Sequence, residues 1–189
     1  MTEVDWGWKL REAFDRLKTR YEHIGRKTGA PFLAIVYPPE AQEAVLKEWR
    51  TLAGTLADDF DMCTIDVLAV TMAVVAELGG ENIVATMKDA MPGSDAQGEL
   101  GVMWTDAVVA EVRRTALQPC SRRRIIVLEN LAALFPAAGP RAVMQRLWDS
   151  EQSCLDGPVV VLIPGTLVEP RVYSFVNRRN EFMYRGDIM

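Results

Sequence analysis

The chain has 189 residues, a length that suits one domain with its own hydrophobic core and is short for two enzyme domains. Hydrophobic residues make up 49% and charged residues 25%, so the composition excludes a disordered, collagen-like or coiled-coil protein. The formal net charge of -5 argues against a protein that coats DNA through overall positive charge. We therefore expect a single domain over residues 1–189.

The cysteines and the amino terminus indicate the compartment. Cys63, Cys120 and Cys154 are widely spaced, form no CxxC pair and share the chain with one histidine, His23. This pattern favours reduced thiols over a disulfide framework or a zinc site. The charged amino terminus does not resemble a secretory signal, and no apolar run reaches the ~18 residues of a membrane span. The sequence therefore predicts a cytoplasmic protein.

The first third of the chain predicts a helix, a strand and a second helix. Apolar residues recur at helical spacing between Leu10 and Ile24, so residues 1–25 should form an amphipathic helix that packs on the domain. Residues 32–37 are apolar throughout and bounded by proline, which is typical of a buried strand. Pro38 and Pro39 then begin a second helix, because proline is tolerated in a first turn.

The middle of the chain is mostly helical. Residues 62–67 predict a weaker strand that continues directly into an apolar helix ending at Gly79 and Gly80. Residues 81–118 predict further helix, broken at residues 91–94, with Asp95 as a cap for the second part.

Two strands in the last third are the clearest in the chain. Residues 125–129 and 159–163 are apolar runs separated by a predicted helix, and residues 182–185 predict a final strand. Strands that are apolar throughout and alternate with helices are typical of a parallel sheet covered on both faces. We expect a three-layer α/β sandwich whose mainly parallel sheet has four or five strands, resembling a RecA or AAA-type domain without a phosphate loop.

The strand ends leave an enzymatic alternative open. Ligands of open α/β sheets bind beyond the carboxyl ends of the strands. The loop after the first strand, Tyr37 to Gln42, has two prolines and a glutamate where a phosphate loop needs glycine amides and a lysine. We therefore expect no cofactor and no catalytic or metal site. The alternative is a magnesium-dependent nuclease or degenerate nucleotide hydrolase that uses Asp66 and Glu129.

Arginines supply a second alternative. Residues 1–100 carry 10 basic and 17 acidic groups, whereas residues 101–189 carry 11 and 9, a local balance of +2. Arginines of this second half could contact nucleic-acid phosphates or an acidic partner. The candidate contacts are Arg122, Arg123, Arg124, Arg178 and Arg179.

Several short motifs resemble a known family. Residues 125–128 lead to Leu134-Phe135-Pro136, and residues 159–163 lead to Pro164-Gly165. The tail then carries Tyr173-Ser174-Phe175, Asn180 and Met183-Tyr184-Arg185, and the first strand is framed by Pro31-Phe32 and Tyr37-Pro38. Over about residues 8–189 the chain resembles a divergent member of the BrxB family of BREX phage-defence systems.

The resemblance implies a non-catalytic assembly subunit of an antiphage defence complex. Its expected partner is a PglZ-like protein of the alkaline-phosphatase superfamily, with nucleic acid contacted only within the complex. Exposed aromatic residues near a terminus are reasonable docking anchors. We expect the partner interface to include Trp6, Trp8, Pro164, Gly165, Tyr173, Phe175, Tyr184 and Arg185.

Overall fold

The computed structural model describes residues 6–25, 29–89 and 91–189. The strands that the described residues form are β1 (Phe32–Tyr37), β2 (Phe60–Asp66), β3 (Arg123–Glu129), β4 (Val159–Glu169), β5 (Val172–Phe175), β6 (Arg179–Phe182) and β7 (Asp187–Ile188). Their α-helices are α1 (Trp6–Thr19), α2 (Gln42–Gly54), α3 (Val67–Leu78), α4 (Gly80–Lys88), α5 (Ala96–Ala116) and α6 (Pro140–Glu151).

The sheet has a parallel core with an antiparallel extension. The core strands follow the order β2-β3-β4-β1-β7, and every neighbouring pair among them is parallel. The second half of β4 continues past β1 and pairs antiparallel with β5, which pairs with β6. The mainly parallel α/β sheet is confirmed. Resemblance to a RecA or AAA-type domain stays a prediction.

Alternate residues of the central strands point to opposite faces of the sheet and belong to two separate hydrophobic cores. In β1, Phe32, Ala34 and Val36 face a core that α5 and α6 complete, whereas Leu33 and Ile35 face a core that α1 and α2 complete. Strands β3 and β4 alternate in the same way, and all their core residues are buried. Because both faces of the sheet are apolar, both need a helical cover, and the three-layer sandwich follows.

The amino-terminal helix packs on the sheet through its apolar stripe, and residues 1–5 of its predicted range lie outside the described residues. Its predicted stripe is buried at Leu10, Phe14 and Leu17, and the Phe14 ring lies 4.5 Å from the Trp49 ring of α2. The helix ends at Thr19, and a short 3₁₀ turn, Tyr21–His23, replaces its predicted last turn.

The carboxyl-terminal segment differs most from expectation. The predicted strand at residues 182–185 is wrong, because β6 ends at Phe182 and β7 begins only at Asp187. Pro164 and Gly165 also lie within β4 and not in a loop. Gly165 is needed there because a Cβ atom at this position would lie 2.3 Å from the carbonyl oxygen of Ser174 on β5.

Helices α3 and α4 form a bent pair at the side of the domain. They meet at Gly79, which has a φ of 81°. Within the described residues, no single helix combines the length and apolarity of a bilayer crossing; α3 and α4 reach that threshold only together, across a bend of 79°.

We predict that Tyr21 makes stability sensitive to high pH. Its hydroxyl donates a 2.6 Å hydrogen bond to the carbonyl oxygen of Arg124, and burial raises its pKa from 10.0 to about 12. The unfolded chain therefore loses the phenolic proton first as pH rises, so the stabilisation is complete below pH 10.0 and is lost toward about pH 12. Urea unfolding of wild type and Tyr21→Phe should show a difference of about 1 kcal/mol at neutral pH that shrinks above pH 10.0. A difference that does not change with pH would contradict this role.

Candidate functional site

The carboxyl edge of the sheet brings the two predicted carboxylates together. Asp66 and Glu129 are register partners at the ends of β2 and β3. Asp66 caps α3, because its Oδ1 accepts a 3.0 Å hydrogen bond from the backbone N–H of Leu68. The same Oδ1 accepts a 2.9 Å hydrogen bond from the side-chain amide of Asn130. Asp66 therefore has a structural role at the start of α3.

Glu129 is buried, contrary to the usual exposure of a polar residue at a strand end. Its side chain is 7% exposed, and its Oε1 accepts a 2.8 Å hydrogen bond from Arg50 of α2, whose side chain is 61% exposed. Its Oε2 is buried and has no hydrogen-bond partner. At the end of β1, the pKa of Tyr37 is raised by the burial of its own hydroxyl and then by the negative charge of Glu129. The Glu129 charge therefore depends on Arg50 for its direct compensation.

This edge lacks the donor set of a well-formed metal centre. Among the described residues, no three histidine, cysteine or acidic side chains are grouped so that they could hold an ion. Asp66 and Glu129 lie near each other, but each already has the protein partner described above. For the predicted alternative of a magnesium enzyme, the two carboxylates are thus adjacent, but no third histidine, cysteine or acidic side chain among the described residues joins them.

The cysteines and His23 lie apart from that edge. Cys63 on β2 and the exposed Cys120 both approach Asp61, at 3.7 and 3.0 Å from its Oδ2. The hydrogen bond from Cys120 lowers the pKa of Asp61, and burial raises the pKa of Cys63, which favours its neutral thiol. His23 is exposed in the 3₁₀ turn after α1.

The five candidate arginines do not form one patch. The first three, residues 122–124, lie at the start of β3. Arg178 and Arg179 follow β5, which lies beyond the carboxyl ends of the parallel strands, at the other end of the sheet. Arg124 is buried and donates to the carbonyl oxygens of Ala116 and Gln118. Nucleic-acid contact stays a prediction only for arginines that remain exposed.

Half of the predicted partner interface is inaccessible. Tyr173 and Phe175 are completely buried in the core, and Pro164 and Gly165 are buried within β4. These four positions are not accessible to a partner, because Tyr173 and Phe175 are part of the core that α5 and α6 complete, and Pro164 and Gly165 are paired with β1 and β5. Trp6 is half-buried against the other core, whereas Trp8, Tyr184 and Arg185 are exposed.

A groove of about 360 Å³ lies between α6 and the tail. The exposed Tyr184 stacks edge-on against Phe182, with 4.7 Å between the ring centroids. The Arg141 guanidinium lies 4.9 Å from the Tyr184 ring, and the Arg185 guanidinium lies 5.3 Å from the Trp148 ring. Cation–π contacts of this kind hold both arginines at the groove wall. We call this groove, lined by Arg141, Trp148, Phe182, Tyr184 and Arg185, the tail groove.

Glu181 fixes the tail against α6. Its buried carboxylate accepts hydrogen bonds from the Tyr173 hydroxyl at 2.7 Å and from the backbone N–H of Arg141 at 3.0 Å, and it pairs with Arg179 at 2.9 Å. Arg141 is in the first turn of α6, where a negative charge is favourable. The tail groove is therefore held on a rigid base.

A second exposed surface was not anticipated from the sequence. Helix α3 is apolar apart from Thr71 and Glu77, yet Val67 and Thr71 are its only buried residues. Exposed apolar side chains continue on α4 and on the start of α5. We call this set the apolar helix surface: Leu68, Met72, Val84, Met87, Val102 and Met103. The signal in the sequence was the apolar composition of α3, which predicts a helix but does not show what covers it.

Comparison with known proteins adds no relative. A scan of family models, a search of curated proteins and a search of solved structures each gave no match to the chain.

We predict that Arg50 compensates the buried Glu129 charge. Arg50→Ala should lower the free energy of unfolding by about 1–2 kcal/mol, because it leaves a buried carboxylate without its charged partner. In a Glu129→Gln background the same substitution should cost less, which a double-mutant cycle in urea measures. Arg16→Ala, which breaks the pair with the more exposed carboxylate of Glu12, is the matched control and should cost about 0.5 kcal/mol. Equal costs of Arg50→Ala in both backgrounds would contradict the pairing.

Proposed function

We propose that this protein is a non-catalytic interaction subunit of a BREX-like antiphage defence complex, acting in the cytoplasm and binding a PglZ-like protein. The motif resemblance supports the choice of complex and of partner. The exposed surfaces of the fold support the docking role.

The observation that carries the docking role is the apolar helix surface. Met72 is 54% exposed, Val84 51% and Val102 59%, on three helices that pack together. Large apolar patches on a folded domain mark protein or membrane contacts. Methionine suits such a surface, because its flexible side chain adapts to a partner.

The tail groove provides a second point of contact. Tyr184 is 64% exposed, although it is held beside Phe182 and Arg141. Exposed tyrosine and arginine side chains on a rigid base are typical interface anchors. Tyr184 and Arg185 are also the two residues of the predicted tail interface that a partner can reach.

The two alternatives have weaker support. For a magnesium enzyme, Asp66 is engaged as a helix cap and Glu129 is paired with Arg50. For a nucleic-acid module, the candidate arginines are divided between opposite ends of the sheet, and Arg179 is engaged with Glu181. These arrangements favour an interaction subunit over either alternative.

We predict that both surfaces are needed for partner capture. Tagged protein from cells expressing the native gene neighbourhood should retain a PglZ-like protein after a moderate-salt wash. Met72→Gln with Val84→Thr, and separately Tyr184→Ala with Arg185→Ala, should each reduce that retention, because each removes exposed contacts. Exposed positions tolerate such changes, so stability should stay within about 0.5 kcal/mol of wild type.

The matched control for the apolar helix surface is Leu117→Gln with Val168→Thr. These residues are similarly exposed, at 62% and 54%, but lie outside both surfaces. The control should capture the partner as well as wild type does. Recovery of wild-type protein alone, quantified by mass spectrometry, would contradict the proposed function. Undiminished capture by one variant would remove its surface from the interface.

We predict no stabilisation by magnesium and nucleotide. A ligand at 100 times its dissociation constant stabilises a protein by about 2.7 kcal/mol, which would raise Tm by about 5–10 °C at this chain length. Thermal unfolding with and without Mg²⁺ and ATP should give the same Tm. A rise of this size that Glu129→Gln abolishes would favour the enzymatic alternative.

A further inference from the structure

The apolar helix surface lies in a stretch of the chain that has few basic residues. Residues 67–99 carry five acidic side chains, Glu77, Glu81, Asp89, Asp95 and Glu99, and one basic side chain, Lys88. The balance of this stretch is therefore -4. All five carboxylates are exposed. Three of them, Glu77 on α3, Glu81 on α4 and Glu99 on α5, are on the helices that carry the exposed apolar side chains, and we call these three the negative border.

A groove within this surface fits one anchoring side chain. It has a volume of about 170 Å³ and lies between α4 and the start of α5, with Ile83, Met87, Leu100 and Met103 among its apolar walls. Glu99 also lines it. Sites for drug-sized ligands have volumes of about 300–1,000 Å³, so this groove is too small for one and suits a single large side chain of a partner.

The negative border distinguishes between possible occupants. In a symmetric dimer, the same patch of two copies would meet, so the acidic borders would face each other and repel. An anionic membrane surface would be repelled for the same reason. A positively charged partner would instead gain from the border as well as from the apolar contacts.

We infer that the apolar helix surface binds a basic amphipathic helix of a partner protein. One side chain of that helix occupies the groove beside Met87 and Met103, and further apolar side chains, one helical turn apart, cover α3 and α4. Its lysine or arginine residues lie against Glu81 and Glu99. This inference rests on the proposed function, since it specifies what the interaction subunit recognises.

Two model peptides test the inference without knowledge of the partner. Each is a helix of about 18 residues with a leucine face, and the polar face carries lysine in one and glutamate in the other. Calorimetry should show that wild type binds the lysine peptide at least about tenfold more tightly, with an affinity that falls as salt is added. Glu81→Lys with Glu99→Lys should reverse the preference.

The control variant changes the same charge elsewhere. Glu22→Lys with Glu43→Lys alters exposed residues on the α1 and α2 side of the sheet and should keep the wild-type preference. Met72→Gln with Val84→Thr should weaken both peptides without changing their order. Circular dichroism of each variant establishes that it is folded.

Three results would overturn the inference. Equal affinity for both peptides would remove the role of the acidic border. Concentration-dependent self-association that Met72→Gln with Val84→Thr abolishes would assign the surface to a second copy. Binding to vesicles of phosphatidylcholine, with or without phosphatidylglycerol, in place of the peptides would assign it to a membrane. Capture of the PglZ-like protein in cells tests the proposed function separately, so the two can fail independently.

Discussion

The fold depends on burying both faces of a parallel sheet. The central strands β1, β3 and β4 are apolar on each side, so helices must cover both faces. Strand β2 is at the edge of the parallel order and is only partly buried. Helix α3 follows this edge strand directly and packs on α5 and the 3₁₀ helix Leu131–Leu134. The side of α3 that faces away from them keeps Leu68 and Met72 exposed.

The tail is organised by one buried carboxylate. Glu181 on β6 joins Tyr173 of β5, Arg179 and the first turn of α6. Burial and the nearby Glu181 charge raise the pKa of Tyr173, so its hydroxyl stays protonated and donates to that carboxylate. Because this hub holds β5 and β6 against α6, the residues after them pass over Trp148 and form the tail groove.

The sequence predicts the elements whose local pattern and burial agree. The strands β1, β3 and β4 are apolar runs, and their central residues match the predicted ranges. In the tail, the local pattern does not predict burial, since the aromatic residues look alike in sequence. Tyr173 is buried and donates a hydrogen bond to Glu181, whereas Tyr184 is exposed. The same limit applies to Arg124, because a run of three arginines does not show which one turns inward. Helix α3 is a further example of this limit, because an apolar helix has the same sequence pattern whether the protein itself or a partner covers it.

The positions of the exposed surfaces limit how one partner can bind. Helices α3, α5 and α6 and the tail strands share one core, on one face of the sheet, whereas α1 and α2 cover the other face. A concave surface between α5 and α6 extends from Val102 of the apolar helix surface to Arg141 and Gln145, which also line the tail groove. A partner that lies along this side can reach both surfaces at once. Trp8 is on α1, across the sheet from both. If Trp8 is also an anchor, it must bind a separate element or a second partner.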